Sequence, residues 1–557
     1  MPSPYDTYTS PLVSRNASKE MLRLWSPRHK FNTWRRIWLA VAEAQHELGL
    51  PVTKEQIVEL RAVVHRPGGI TDEEMKAAER YERDLRHDVM AHVHALGDAC
   101  PNAKGIIHLG MTSQDVVCNS DLALIAQSLD LIRTKVARVI VSFAAHAARH
   151  ARTPTLGFTH YQPAQPVTVG RRSAMWASDL RLTLERLDGL HPYCGALVGS
   201  LFGMLRLRGF RGATGTQASF LSLLGDHARV DAFERAAVER AMEGVLPSFT
   251  RNVVVPPGAD PEYPAGITEP HARMPGGEAL STEVRFDSTL ITGQTYPRVL
   301  DTFVLGDLAS VASVLHKIAT DIRLLCNRKE LDEPFEEKQI GSSAMPYKRN
   351  PMRCERICGL TRFVMNLVGN AYDTAATQWL ERTLDDSSNR RLSLPEAFLA
   401  LDGALDLMHN VVAGSDGKGG LIVHEAMVKK NLMAELPFMA TENILMACVK
   451  LGGDVSGGRQ HYHELIRVHA QAAGLRVKQQ GLDNDLLDRL KNDTNFWSKA
   501  RGGPLLAELD WDGVMDPMKY VGRSVEQTER FLKEVVEPLH EQYKDELAKL
   551  EESSPRV

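Results

Sequence analysis

The sequence predicts an all-α fold. Three observations carry this: long stretches with apolar residues at i, i+3 and i+4 spacing, few strand patterns, and an aromatic content of only 6%. The chain has 557 residues, enough for three or four domains' worth of core, with 43% hydrophobic and 24% charged residues. That composition excludes wholesale disorder, a collagen-like repeat and a disulfide-dense scaffold.

The elements follow in chain order. From Asp121 to His150, residues Leu124, Ile125, Leu129, Ile132, Val136, Val139, Ile140 and Phe143 recur on one helical face, with Ser120 as the expected N-cap. The apolar stretch Tyr193–Leu207 holds three glycines and is too short for a membrane span; it reads as a buried or partner-facing segment. Val253–Val255 is the clearest strand signal, closed at once by Pro256 and Pro257. Seven prolines between Pro247 and Gly277 predict a long ordered loop or a partly disordered insertion. From Leu300 to Leu325, residues Phe303, Val304, Leu308, Val311, Leu315, Ile318, Ile322 and Leu325 line one side of roughly 40 Å of helix, apolar enough to lie inside a bundle or an oligomer. A helix is expected near Met352, and the Gly/Asp-rich break Ala413–Gly420 marks a domain boundary. The last pattern opens with Ser524-Val-Glu-Gln, a capping-box signature, and Pro538 is expected to kink or end it.

Charge and cysteines narrow the function classes. Lys+Arg number 66 against 70 Asp+Glu, a net charge of −4, so no global basic field favours nucleic acid or an acidic membrane. An anionic substrate must then be met by local Arg and Lys clusters. The seven cysteines (100, 118, 194, 326, 354, 358 and 448) lack CxxC spacing and read as reduced thiols of a cytoplasmic protein. Cys354 and Cys358 share a helix face, but two thiols do not make a zinc site. The N-terminus has no apolar core of a signal peptide, no run of 18 apolar residues exists, and EESSPRV matches no retention or peroxisomal address. There is no GxGxxG and no GxxxxGK[ST], so nothing argues for a dinucleotide fold or a phosphate-binding P-loop; no cofactor and no metal are expected.

Four constellations can carry chemistry. Gly341–Pro351 (GSSAMPYKRNP) combines two hydroxyls, a Gly, two prolines and adjacent cations, as suits a loop closing over an anion with Lys348 as donor; the alternative is a capped turn before the next helix. Thr155–Gln165 (TLGFTHYQPAQ) sets a His among Thr and Gln, a candidate acid/base or a satisfied structural residue. Arg86-His87-Asp88 is followed by His92 and His94 at spacings that do not suit zinc. Glu381–Arg391 (ERTLDDSSNRR) is either a salt-bridged turn or an Arg clamp for phosphate or carboxylate.

Ser342–Pro351 resembles the GSSxMPxKxNP signature of the aspartase/fumarase superfamily. Together with TLGFTHYQPAQ, RHDVMAH, TGTQASF and ERTLDDSSNRR, in family order, it is similar to the adenylosuccinate lyase family within that superfamily. The resemblance runs from about Ser10 to about Leu539 and is interrupted by extra residues around 191–205 and 245–285. It implies three all-α domains: 1–112, N-terminal; 113–417, a central helix bundle with the signature loop and the insertion; and 418–557, C-terminal. It also implies a homotetramer with a twenty-helix core and sites built by three subunits.

The implied reaction is β-elimination of fumarate from adenylosuccinate, giving AMP, and from the succinylaminoimidazole carboxamide ribotide of purine synthesis. Such an elimination needs a base for the Cβ proton, an acid for the leaving nitrogen and donors for the carbanion. By resemblance, His160 is the acid, Ser342 the base, Lys348 an activating cation and Glu355 the orienter of His160. Arg15, Asn16 (where relatives often carry Tyr), Arg86, His87 and Asp88 face the phosphoribosyl and base end. Thr112 and Ser113 face a succinyl carboxylate, Thr159 sits beside His160, Gln217 faces the succinyl or carboxamide region, Asn350 is a further substrate-binding residue, and Arg356, Arg382, Ser387 and Arg391 complete the anion clamps. Competing readings are a lyase for argininosuccinate, fumarate or aspartate, and a non-catalytic protein on the same fold.

Overall fold

A computed structural model describes residues 6–190, 205–243, 253–254, 279–280, 288–336, 338–415, 418–452, 458–498 and 503–550. At its centre the helices Ser113–Arg149, Val169–Leu190, Val299–Asn327, Met352–Ala376 and Asp385–Ala413 pack side by side. Their inward faces close over Leu129, Ile132, Val136, Phe143, Leu308, Leu315, Ile322, Leu401 and Leu405, all fully or almost fully buried. Helices Pro27–Glu47, Lys54–Val64, Asp72–Leu85 and Asp88–Ala99 precede the bundle. After it, a separate small core gathers Ile444, Cys448, Tyr462, Ile466, Leu486, Leu490 and Phe496.

The first bundle helix starts at Ser113, two turns before the expected Asp121. Its true entry is Thr112, whose N–H donates to Asp115 Oδ2 at 2.7 Å, and Ser120 is buried inside the helix. The Val299–Asn327 helix buries the expected stripe from Val304 to Leu325, whereas Phe303 lies off that face, 38% exposed. By length and composition this helix could cross a membrane, but half of its most apolar window is buried against its neighbours.

Polar residues also tie the bundle. Lys135 Nζ donates to Asp402 Oδ1 at 2.5 Å and Asp406 Oδ2 at 2.9 Å, and Asp402 Oδ2 accepts the Ser18 N–H at 2.6 Å. Further along, Arg390 pairs with Asp301 and Asp121, and Arg298 with Asp386.

Two expectations near the C-terminus change. Ser524 is a buried residue whose Oγ donates to Val521 O at 2.6 Å, so it forms no capping box. The helix Ser524–Phe531 instead widens into a π-turn, Leu532–Val536, before Pro538 sits in the first turn of Glu537–Gln542. The strand signal holds in part: Val253–Val254 pairs antiparallel with Ala279–Leu280. The rest of the 245–285 insertion, and 191–204, lie outside the described residues. Cys354 and Cys358 are buried free thiols, and no metal-ligating cluster occurs among the described residues.

Candidate active site

A first group of expected residues meets where three helices begin. His87 is the N-cap of Asp88–Ala99, its Nδ1 accepting the Met90 N–H at 3.3 Å. In the neutral ring this puts the proton on Nε2, which faces Ser113 Oγ at 3.3 Å. Asp88 Oδ1 accepts the N–H of Val89 at 2.8 Å, while Oδ2 accepts from Arg391 Nη2 at 2.9 Å. Thr112 and Ser113 begin the long bundle helix; Ser387 and Arg391 lie in the first turns of Asp385–Ala413. Arg86, exposed and at φ 54°, ends the preceding helix in the left-handed region. The corner therefore presents helix N-termini and guanidinium groups together, as an anion site requires.

Arg382 Nη1 donates to Gln294 Oε1 at 2.8 Å and its Nη2 to Ser387 Oγ at 3.3 Å. The amide of Gln114, with its oxygen turned to Arg382, accepts from both nitrogens at 3.2 and 3.1 Å. Burial presses the Arg382 guanidinium below its ordinary range, with Asp386 opposing.

Beneath this corner lies a floor that sequence reasoning missed. Asp115, fully buried, pairs with Arg208 and accepts the N–H groups of Arg211 at 2.8 Å and Gly212 at 3.1 Å. Glu234, raised by burial against the pull of Arg211, accepts from Phe210 N at 3.1 Å and Ser288 Oγ at 2.8 Å. Gly209, at φ 82°, passes so close that a Cβ there would lie 1.9 Å from Glu234 Oε1. Gln217 stands on this floor, its Nε2 donating to Glu234 Oε2 at 3.0 Å and Phe210 O at 3.1 Å. The one available signal was Asp115, three residues after Thr112 at a helix start.

His160 lies elsewhere, at the tip of an antiparallel hairpin of Pro154–Thr159 and Gln162–Thr168. The sequence reading gave this segment no strands. His160 and Tyr161 form its two-residue turn with φ 53° and 57°, conformations that glycine and asparagine usually take. Holding such residues there costs on the order of 1–3 kcal/mol each, a strain that clusters at functional sites. The second strand bulges at Gln165, opposite Gly157, where a Cβ would meet Gln165 O at 2.4 Å. The hairpin packs through Leu156 on Leu432 and Leu436 and lifts Thr159 and His160 into solvent.

The signature loop is the third group. Ser342 Oγ accepts the Met345 N–H at 3.2 Å, and Asn350 Nδ2 donates to Gly341 O at 2.8 Å. Ser343 to Arg349, with Lys348, are exposed. On the following helix, Glu355 is 51% exposed and lies 3.9 Å from Arg323. Burial, and then Arg15 and Arg353, lower the Arg356 guanidinium, so the cations of Arg15 and Arg356 face one region. Asn16 turns away: its Nδ2 donates to Pro11 O at 2.9 Å within its own turn.

Within one chain, then, His87, Asp88, Ser113 and Arg391 come together, as does Arg382 with Ser387. No hydrogen bond or ion pair links His160, Ser342, Lys348 and Glu355 to one another among the described residues.

Comparisons with known proteins give the lineage. The family described as "Lyase" matches residues 16–204 and 294–366, and "Adenylosuccinate lyase C-terminus" matches 437–531. The chain is 44% identical to an adenylosuccinate lyase of Schizosaccharomyces pombe, over 95% of this chain and 94% of that one. It is 42% identical to the adenylosuccinate lyase of Saccharomyces cerevisiae, over 98% and 99%. Among solved structures, 3-carboxy-cis,cis-muconate lactonizing enzyme from Pseudomonas putida superposes with a TM-score of 0.69 at 21% identity, covering 95% of this chain and 99% of that one. Fumarate lyase from Mesorhizobium superposes at 0.68, also at 21% identity, covering 94% and 99%; both likenesses establish the fold. With identity above 40% along nearly its whole length, the chain belongs to the adenylosuccinate lyase family.

Proposed function

We propose that this chain eliminates fumarate from adenylosuccinate, giving AMP, and from the succinylaminoimidazole carboxamide ribotide, in the cytoplasm and as a homotetramer. The observation that carries the reading is the end-to-end likeness to relatives named adenylosuccinate lyase.

The site chemistry supports it. Each substrate carries two carboxylates and a phosphate. Arg15 disfavours the charged form of Arg356, and an anion bound near both would relieve that repulsion. Arg382 and Arg391, beside the helix start at Ser113, suit a second anionic group. In the reaction Ser342 takes the Cβ proton, and the electron pair spreads into the neighbouring carboxylate. The C–N bond breaks as His160 protonates the leaving nitrogen. Lys348 stabilises the oxyanions: about 4 kcal/mol at ~4 Å once the closed loop has lowered the effective dielectric constant to ~20.

In one chain Glu355 faces Arg323 and His160 points to solvent. Bringing them together requires other subunits. Large apolar residues left exposed on the bundle helices fit that assembly: Met175 (40%), Leu182 (57%), Phe363 (41%) and Tyr372 (60%). Burying such a side chain is worth about 1.5–3 kcal/mol.

The test is ultraviolet-monitored fumarate release from purified protein given adenylosuccinate, with His160→Ala alongside. Release by the wild type and loss in the variant is expected. Release by both would keep the reaction and remove His160 from it. No release from an assembled wild type would defeat the reading.

A further inference from the structure

The signature loop is exposed along its span, yet both its feet are fastened, and one buried carboxylate holds the start of the helix that follows it. The helix that follows the loop begins at Met352 behind Pro351, which offers no side-chain acceptor. Its first N–H groups are nevertheless met. Glu333, twenty residues upstream of Arg353 and 8% exposed, accepts the Arg353 N–H through Oε2 at 3.0 Å and the Cys354 N–H through Oε1 at 2.7 Å. The helix holds the loop's other foot in return. The Arg353 guanidinium donates to Pro334 O and, at 3.1 Å, to Glu336 Oε1. Between these feet, Asn350 bonds Gly341 O, and the backbone closes so tightly that a Cβ on Gly341 would lie 2.2 Å from Lys348 O.

We propose that Glu333 is a positioning residue for the elimination: by clamping the helix start with both carboxylate oxygens it fixes where the Ser342–Lys348 span closes and how Glu355 and Arg356, in the same first turns, are presented. This rests on the function proposed above. Glu333 itself touches no reacting atom. Burial raises the Glu333 carboxyl, opposed by its hydrogen bonds to Cys354 and Arg353 and by the Arg353 charge; both oxygens accept there, which a carboxamide cannot reproduce. Glutamine has one acceptor, so its NH2 would face an N–H of the helix.

The experiment compares wild type with Glu333→Gln and Glu333→Ala as assembled enzyme, normalised to folded sites. Two quantities are read: kcat against KM, and the rate of tryptic cleavage after Lys348 and Arg349. The expected result for Glu333→Gln is a kcat lower by about tenfold, a KM that moves less than kcat, and faster loop cleavage. Either readout unmoved overturns the proposal. So does a poorly folding variant whose residual folded sites turn over at the wild-type rate. If the wild type releases no fumarate, the proposed function fails, while the cleavage comparison still judges the clamp.

Discussion

Asp88 and Arg391, 303 positions apart in sequence, meet at 2.9 Å between carboxylate Oδ2 and guanidinium Nη2. The contact ties the start of Asp88–Ala99 to the start of Asp385–Ala413 and leaves the guanidinium, 58% exposed, facing outward. Replacing Arg391 by Lys keeps the charge and loses the planar fork. We expect KM to rise with little change in kcat. Loss of one charge-assisted hydrogen bond is worth about 1.5–3 kcal/mol, or roughly 10- to 150-fold. Steady-state kinetics with adenylosuccinate decides; an unchanged KM removes Arg391 from substrate binding.

Lys135 is buried between Asp402 and Asp406. Burial pushes the Asp402 carboxyl up, and Lys135 is the main group opposing it. Lys135→Met removes the cation that Asp402 and Asp406 share, leaving Asp402 with the Ser18 N–H alone and Asp406 with Arg138. A loss of about 3–5 kcal/mol is expected. Urea unfolding of the variant measures it, and a loss below about 1 kcal/mol contradicts this account of the bundle core.

Stability is also expected to fall in acid. Burial pushes His92, His108 and His409 down to about 4 and His146 to about 3. These rings are neutral when folded but titrate near 6.5 when unfolded. Below pH 6.5 the unfolded chain binds more protons, so stability is lost as pH falls from about 6.5 to about 4. Each histidine adds up to about 1.4 kcal/mol per pH unit in that window. Melting temperatures at pH 7.5 and 5.0 test this, with His409→Gln expected to narrow the difference; equal melting temperatures contradict it.

The helices were legible because their signal is repetition. Leu129, Ile132, Val136 and Phe143 share one face in any helix, wherever it begins. The beginning itself was not legible, because Thr112–Asp115 is a local hydrogen bond that apolar periodicity does not report. The His160 hairpin was hidden for a related reason. Its turn uses His and Tyr at positive φ, and its second strand carries Pro163 and Pro166, so neither turn residues nor alternation announced it. His87 with Asp88, Ser113, and Arg391 were readable as three separate segments, but only the fold joins them into one corner. Glu234 and Glu333 carry no motif, since what marks them is burial and the N–H groups they receive.

In the proposed assembly, His160 and Ser342 act in one elimination from different subunits. Mixing inactive His160→Ala and Ser342→Ala proteins, under conditions that let subunits exchange, tests it most directly. Hybrid assemblies contain some sites with both residues intact, so fumarate release should return on mixing. If exchange is verified and no activity returns, a site shared between chains is contradicted.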